Sequence, residues 1–405
     1  MKEITGSVCA PMGFLAAGVH CGIRKNRTKP DLALIVSNVR ASAAAVYTTN
    51  LVKGAPLIVT KAHIDDDGLA QAIICNSGNA NTCNADGIEI AEEMAALTAA
   101  ELGIQPRDVL VASTGVIGER LDIQPIKEGI PVLAKTLSAV DWTDAAEAIM
   151  TTDTHPKTVA VEFELGGHVC RIGGMAKGSG MIHPNMATML VFLTTDVAIS
   201  PEMLQKALST DVAGSFNMLS VDGDTSTNDM VAILANGMAG NKPITRKNKD
   251  FTTFMTALNS VMISLCKSIA GDGEGATKLL ECAVTGAPDL ATARIAAKSV
   301  ICSSLVKAAM FGADANWGRV LCALGYSGAK LDVDKIDVAF VSPAGRVEVC
   351  KNGAGIPFSE EEAKAVLLEK EITIEVKLGD GNVSATAWGC DLTYDYVRIN
   401  GDYRT

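Results

Sequence analysis

The chain has 405 residues, 48% apolar and 20% charged, with 37 glycines and a formal net charge of −11. That length can bury a large core and hold two or three domains. The acidic balance argues against a non-specific nucleic-acid or anionic-membrane binder, because either needs a positive surface field.

In chain order, Met1-Lys2-Glu3-Ile4 runs into Pro11, Gly13 and Gly18, which leaves no continuous apolar h-region for a signal peptide. Leu32-Ala33-Leu34-Ile35-Val36 and Ala72-Ile73-Ile74-Cys75 read as strands buried on both faces, the second entering an asparagine-rich turn over 76–81. Residues 88–102 carry Ile90, Met94, Leu97 and Leu102 at helical spacing, with Glu92, Glu93 and Glu101 mostly off that face. Val109-Leu110-Val111-Ala112 is a further strand, ending at Ser113-Thr114-Gly115. A Thr-Gly pair at a strand tip is either a plain turn or a pair of donors facing a ligand. Met150-Thr151-Thr152-Asp153-Thr154 reads as a helix end with capping hydroxyls. Val159 to Leu165, Gly166-Gly167 and His168 to Arg171 form a hairpin.

A glycine-rich, basic segment follows, Gly173-Gly174-Met175-Ala176-Lys177-Gly178-Ser179-Gly180. It leads through His183-Pro184-Asn185 and Ala187-Thr188 into an apolar strand over 189–193. Taken alone, this is a loop before a core strand. Ser200-Pro201-Glu202 starts a helix with Ser at the N-cap and Pro at N1. The oxygen-rich loop over 220–229 fails as an EF-hand, since Thr227 and Ile233 stand where Gly and Glu are required. An amphipathic helix over about 250–269 ends in Gly271-Asp272-Gly273-Glu274-Gly275, which matches neither GxGxxG nor a Walker loop. Its Glu274 is by default an exposed turn residue. Ser359-Glu360-Glu361-Glu362 is a capping box for a helix to about Lys370. Ile372 to Val376 and Val383 to Trp388 then read as a hairpin across Gly379-Asp380-Gly381. The tail from Tyr396 to Thr405 is by default frayed. No apolar run approaches the roughly 20 residues that span a bilayer. The 11 cysteines form no CxxC pair and the 5 histidines no HxxH or HExxH spacing, so reduced core thiols are expected rather than disulfides or zinc.

Lys177-Gly178-Ser179-Gly180-Met181-Ile182 and Ala187-Thr188-Met189-Leu190 resemble the self-cleavage region of the ornithine acetyltransferase family, also called glutamate N-acetyltransferase, of arginine biosynthesis. The resemblance extends through the 220–229 loop and through Phe311-Gly312-Ala313-Asp314-Ala315-Asn316-Trp317-Gly318-Arg319, in which Ala315 replaces the family's usual Pro. It implies an α/β fold, a four-layer αββα sandwich that resembles the N-terminal-nucleophile hydrolases in layering but has its own connectivity. It also implies cleavage between Ala187 and Thr188 into an α chain (1–187) and a β chain (188–405). These would form one intertwined unit, assembled as a heterotetramer of two α and two β chains in the cytoplasm. Thr188 would be the nucleophile, and Thr114 and Gly115 the oxyanion donors. Thr151, Lys177, Thr188, Glu274, Asn400 and Thr405 would contact substrate. The 220–229 loop would buttress the new N-terminus.

A threonine hydroxyl needs a base near neutral pH, and cleavage before Thr188 would supply one, an α-amine with a reference pKa of roughly 8. The implied reaction is a ping-pong transfer of acetyl from N-acetylornithine to glutamate without a cofactor. Many family members also take acetyl-CoA, and the expectation is that this chain does too, although no residue decides it. Two rival readings stay open, an autoprocessing amidohydrolase or aminopeptidase and a non-catalytic binding protein that remains uncut.

Overall fold

The computed structural model describes residues 1–26, 28–183 and 189–402. Ten strands occur up to residue 235: β1 (Lys2–Ile4), β2 (Phe14–Val19), β3 (Leu32–Tyr47), β4 (Leu69–Asn79), β5 (Val109–Val116), β6 (Lys157–Leu165), β7 (His168–Lys177), β8 (Leu190–Thr195), β9 (Leu219–Ser220) and β10 (Met230–Ala235). All but β9 form one sheet in the order β1-β6-β7-β8-β10-β3-β4-β5, with β2 also on β3. The long β3 makes this possible. Its first half pairs with β2 (Phe14↔Ser37 to Val19↔Leu32) and its second with β10 (Ala235↔Ser42 to Met230↔Tyr47). The strands that follow residue 188, β8 and β10, run parallel to each other in the middle of the sheet, between β7 and β3.

Alternation along the strands explains the layering, because successive side chains point to opposite faces. Leu32, Leu34 and Val36 pack with helices α1 (Ala55–Asp67), α2 (Gly87–Leu102) and α3 (Ile123–Thr136), whereas Ala33 and Ile35 pack with Phe14 and helix α4 (Thr143–Ala148). The second sheet adds β11 (Leu279–Ala287), β12 (Asp337–Ser342), β13 (Gly345–Lys351), β14 (Ala354–Gly355), β15 (Glu371–Lys377) and β16 (Val383–Cys390), ordered β14-β13-β12-β15-β11-β16-β9. Leu280, Cys282, Val284, Phe340, Ile372 and Ile374 in it share a core with helices α5 (Pro201–Val212), α6 (Lys249–Gly271), α7 (Leu290–Cys302), α8 (Ser304–Phe311), α9 (Trp317–Gly325) and α10 (Glu360–Leu367). The fold is therefore mixed α/β with layered sheets.

Helix α6 touches β6 and β7 of the first sheet and β11 and β16 of the second. Asn248 caps it by accepting from Phe251 N at 2.8 Å. By length and composition it is apolar enough to cross a membrane. Yet Phe254, Leu258, Val261, Leu265 and Ile269 along it are fully buried between the sheets. Each such side chain contributes roughly 1.5–3 kcal/mol on leaving water, so burial in the protein core accounts for the hydrophobicity.

Five sequence expectations need correction. The strand at 72 runs on through the asparagines to Asn79, because Asn76, Ser77 and Gly78 pair in parallel with Ser113, Thr114 and Gly115. The strand at 109 likewise continues to Val116, so Thr114-Gly115 lies within a ladder whose register shifts at Asn79. Gly173 to Lys177 are strand, since β7 pairs fully with β6 and β8. Glycine is needed there for packing: a Cβ at Gly173 would lie 1.9 Å from the Ser7 carbonyl oxygen. Finally, β15 and β16 are not a hairpin. β11 lies between them, parallel to β15 and antiparallel to β16. The connection wraps the end of β11, with Leu378 N donating to Thr285 O and Asp380 N to Gly286 O, both at 2.9 Å. The predicted helix from Ser359 ends at Leu367 instead of Lys370, with Ser359 capping Glu362 N as expected.

Candidate active site

A cavity of about 370 Å³ opens beside the ends of β5 and β7, lined by Thr114, Gly115, Thr151, Lys177, Glu274 and Asn400 together with Asp222, Ser226, Asn228 and Tyr396. Six residues singled out in the sequence, spread from 114 to 400, thus meet in one place. Ala187, Thr188 and Thr405 lie outside the described residues. A small recess shares Thr114, Lys177 and Gly180 with this cavity and is also lined by Asp229 and by Met189, the neighbour of Thr188 in the chain. A larger cavity, of about 460 Å³, lies on the second sheet and holds none of these residues. Its Arg346 is already paired with Glu348 at 2.7 Å and Glu375 at 3.0 Å.

Thr114 and Gly115 are held from both sides. Gly115 has φ +130, and a Cβ there would lie 2.3 Å from Gly78 C, so only glycine lets the two strands approach this closely. Asn228 clamps the same strands, donating to Ala80 O at 2.6 Å and to Ser113 O at 3.0 Å while accepting from Thr82 and Thr227. The 220–229 loop also holds the segment before residue 184. Asp222 accepts from Met181 N at 2.6 Å and Ile182 N at 2.9 Å, and Thr225 Oγ1 donates to His183 O at 2.9 Å.

Lys177 is buried, and its only side-chain hydrogen bond among the described residues runs from Nζ to Thr114 Oγ1 at 3.4 Å. Burial pushes its ammonium below the ordinary lysine range, against the opposing pull of Asp153 and Asp229. Asp229 is itself buried and pushed well above the ordinary carboxylate range by desolvation, and its Oδ2 has no hydrogen-bond partner among the described residues. Glu274 is buried rather than an exposed turn residue. Its Oε2 accepts from Asn400 Nδ2 at 2.8 Å, and its backbone N–H donates to Ser179 O at 2.9 Å. Over its described residues the tail is a helix, α11 (Tyr394–Asp402). Thr393 Oγ1 donates to Gly275 O at 2.7 Å, and the Tyr394 ring packs edge-on against Phe311 at 5.7 Å. The 311–319 signature thus anchors the helix that presents Asn400, and none of its residues lines the cavity.

Sequence reasoning missed the group beneath the site. Lys157 Nζ, fully buried, donates to Asp153 Oδ1 at 2.6 Å and Asp272 Oδ2 at 2.5 Å. Asp153 also accepts from Thr151 N at 3.0 Å and Gly178 N at 2.7 Å, and Asp272 accepts from Thr154 N at 3.0 Å. Burial pushes the Asp153 carboxyl up, but Lys157, Lys177 and the Gly178 N–H outweigh it and hold it at about 2. The polar run at 150–154 carries a signal, but in sequence it reads as helix capping, with a substrate contact at Thr151 implied by the resemblance and nothing assigned to Asp153.

Together these groups offer hydrogen-bond donors at Thr114 and Gly115, a cation at Lys177 and a carboxylate at Glu274. A cation and an anion lining one small cavity suit a zwitterion such as an amino acid. The profile of the ArgJ family matches residues 15–405. Arginine biosynthesis bifunctional protein ArgJ of Symbiobacterium thermophilum is 53% identical over 407 residues, covering 100% of both chains. Its counterpart in Caldanaerobacter subterraneus subsp. tengcongensis is 52% identical over 406 residues, again covering 100% of both. A crystal structure of arginine biosynthesis bifunctional protein argJ from Bacillus halodurans is 48% identical with a TM-score of 0.50, covering 52% of this chain and 98% of that one.

Proposed function

The chain belongs to the ArgJ family, and on that premise we propose that it is an autoprocessing acetyltransferase of arginine biosynthesis, using Thr188 as an N-terminal nucleophile. Thr188 Oγ attacks the carbonyl carbon of Ala187. The Ala187–Thr188 amide bond breaks as its nitrogen takes a proton, and water hydrolyses the resulting ester to leave a free α-amine at Thr188. In the transfer, that amine takes the Oγ proton while Oγ attacks the acetyl carbonyl of N-acetylornithine. The oxyanion is met by the Thr114 hydroxyl and the Gly115 N–H. Collapse breaks the acetyl C–N bond, and ornithine leaves with the proton. The amine of glutamate then attacks the acetyl ester, giving N-acetylglutamate and restoring Thr188. Acetyl-CoA serves as a second donor, with the thiolate as leaving group.

The observation that carries this reading is the convergence of Thr114, Gly115, Thr151, Lys177, Glu274 and Asn400 on one cavity beside Met189. Lys177 holds the carboxylate of an amino-acid substrate and Glu274 its ammonium, with Thr151, Asn400 and Thr405 completing the site. The half-length match to the Bacillus halodurans chain supports processing into two polypeptides. Because β8 and β10 lie inside the first sheet, chains 1–187 and 188–405 stay associated after the cut. They assemble as two α and two β chains in the cytoplasm.

The test is intact mass under denaturing conditions, for the wild type and for Thr188→Ala, followed by transfer to glutamate from each donor. In proportion to 42.1 kDa, fragments of about 19 and 23 kDa are expected, of ordinary domain size. The larger should begin at Thr188, and the variant should stay uncut. A single full-length species in both samples, or hydrolysis of N-acetylornithine exceeding transfer at saturating glutamate, would overturn the proposal.

A further inference from the structure

Thr151, Lys177 and Glu274 reach the cavity from three separate segments, and one buried cluster ties those segments together. Asp153 bonds the backbone at Thr151 and at Gly178, the residue after Lys177. Lys157 joins Asp153 to Asp272, and Ser179 Oγ donates to Asp272 O at 2.6 Å, two residues before Glu274. The Asp153 carboxylate therefore has four functions at once: it pairs with Lys157, orients Thr151, fixes the strand end at Lys177-Gly178 and favours the charged form of Lys177.

We propose that Asp153 is a positioning residue for substrate binding, holding the backbone under Lys177 and supplying the countercharge that keeps Lys177 cationic inside the site. This rests on the reading of Lys177 as the partner of the substrate carboxylate. The groups acting on Lys177 are Asp153 and Asp229, which favour its charged form, Lys157, which opposes it, and the Cys75 thiol. Burial works against ionisation of Asp229, whereas Lys157, Lys177 and the Gly178 N–H favour the ionised form of Asp153. Asp272 pairs with Lys157 and does not stand among the principal charges on Lys177. A variant there perturbs the same cluster without removing the countercharge.

The experiment measures the KM for glutamate and kcat from pH 6 to 10 in the wild type, Asp153→Asn and Asp272→Asn, with thermal unfolding of each. Without Asp153, the Lys177 ammonium loses its proton at lower pH. The rise in KM on the alkaline side should then begin at least one pH unit earlier in Asp153→Asn than in the wild type, with KM raised about tenfold and kcat changed less. Asp272→Asn should lose stability while its KM profile keeps the wild-type limb. Identical profiles in both variants would reduce the cluster to a structural role and overturn the inference. If Asp153→Asn does not fold, Asp153→Glu carries the test, because it retains the charge and its alkaline limb must stay at the wild-type pH. A limb that moves in Asp153→Glu is equally fatal. A wild type that neither binds nor acetylates glutamate removes the functional reading itself, whereas normal wild-type transfer with indistinguishable variants removes only this inference.

Discussion

A methyl group at Gly180 would lie 2.3 Å from Glu274 Cδ and Oε2 and 2.4 Å from Oε1. Such distances cannot persist, so in Gly180→Ala something must move. Gly180 has no left-handed backbone requirement, and the obstructing atoms are the free end of a flexible side chain. The Glu274 carboxylate is therefore the part that yields, breaking its 2.8 Å bond from Asn400 Nδ2. A hydrogen bond to a charged group contributes about 1.5–3 kcal/mol. At about 1.4 kcal/mol per factor of ten, a substrate ammonium that loses this carboxylate should bind roughly 10- to 100-fold more weakly. Folding stability should fall by no more than about 3 kcal/mol, the most that the lost Asn400 bond contributes, since no apolar contact is lost. Steady-state transfer from N-acetylornithine to glutamate gives the KM change, urea unfolding gives the stability, and intact mass checks that cleavage still occurs. A wild-type KM in correctly cut protein would refute Glu274 as the substrate carboxylate. A loss beyond about 3 kcal/mol would refute the packing argument.

Two further outcomes follow from the charges and thiols. The Asp153 carboxyl is held at about 2 against an ordinary value of 3.8, so its stabilisation is present above pH ~4 and lost as pH falls through ~2. At 1.36 kcal/mol per pH unit this is about 2 kcal/mol. The urea stability difference between wild type and Asp153→Asn should shrink by that amount from pH 5 to pH 2, and a constant difference would contradict it. Among the free thiols, Cys83 and Cys322 are exposed, Cys21 and Cys302 half-buried and the rest buried. Ellman's reagent should therefore modify about two thiols quickly and the full set only after unfolding. Rapid reaction of most thiols in native protein would show that the cores are not packed as described.

Much of the fold was legible because its signals are local. The helix at 88–102 announces itself by spacing, and Ser200 and Ser359 cap the helices they were expected to cap. The hairpin of β6 and β7 follows from alternation and Gly166-Gly167. The misplaced β15–β16 hairpin marks the limit of such reasoning. Sequence proximity and turn glycines predict that two strands pair, but β11, which comes more than eighty residues earlier, occupies the slot between them. Gly173 to Lys177 misled for a related reason, since glycines forced by close packing look, in sequence, like glycines of a loop.

The sequence by itself determined the chemistry on offer: a Thr-Gly pair at 114–115, a lysine at 177, a carboxylate at 274 and a family resemblance that joined them. The roles proposed for them come from that resemblance, while residue type itself is covalent and needs no fold to be read. Only the tertiary structure brought them within one cavity, turned Glu274 from an exposed turn residue into a buried one held by Asn400, and exposed the dependence of all three binding segments on Asp153, Lys157 and Asp272. Lys157 and Asp272 lie 115 positions apart. Their pairing is enforced by desolvation, since a buried charge must find its opposite wherever the chain delivers it, and that constraint leaves no periodic mark in the sequence.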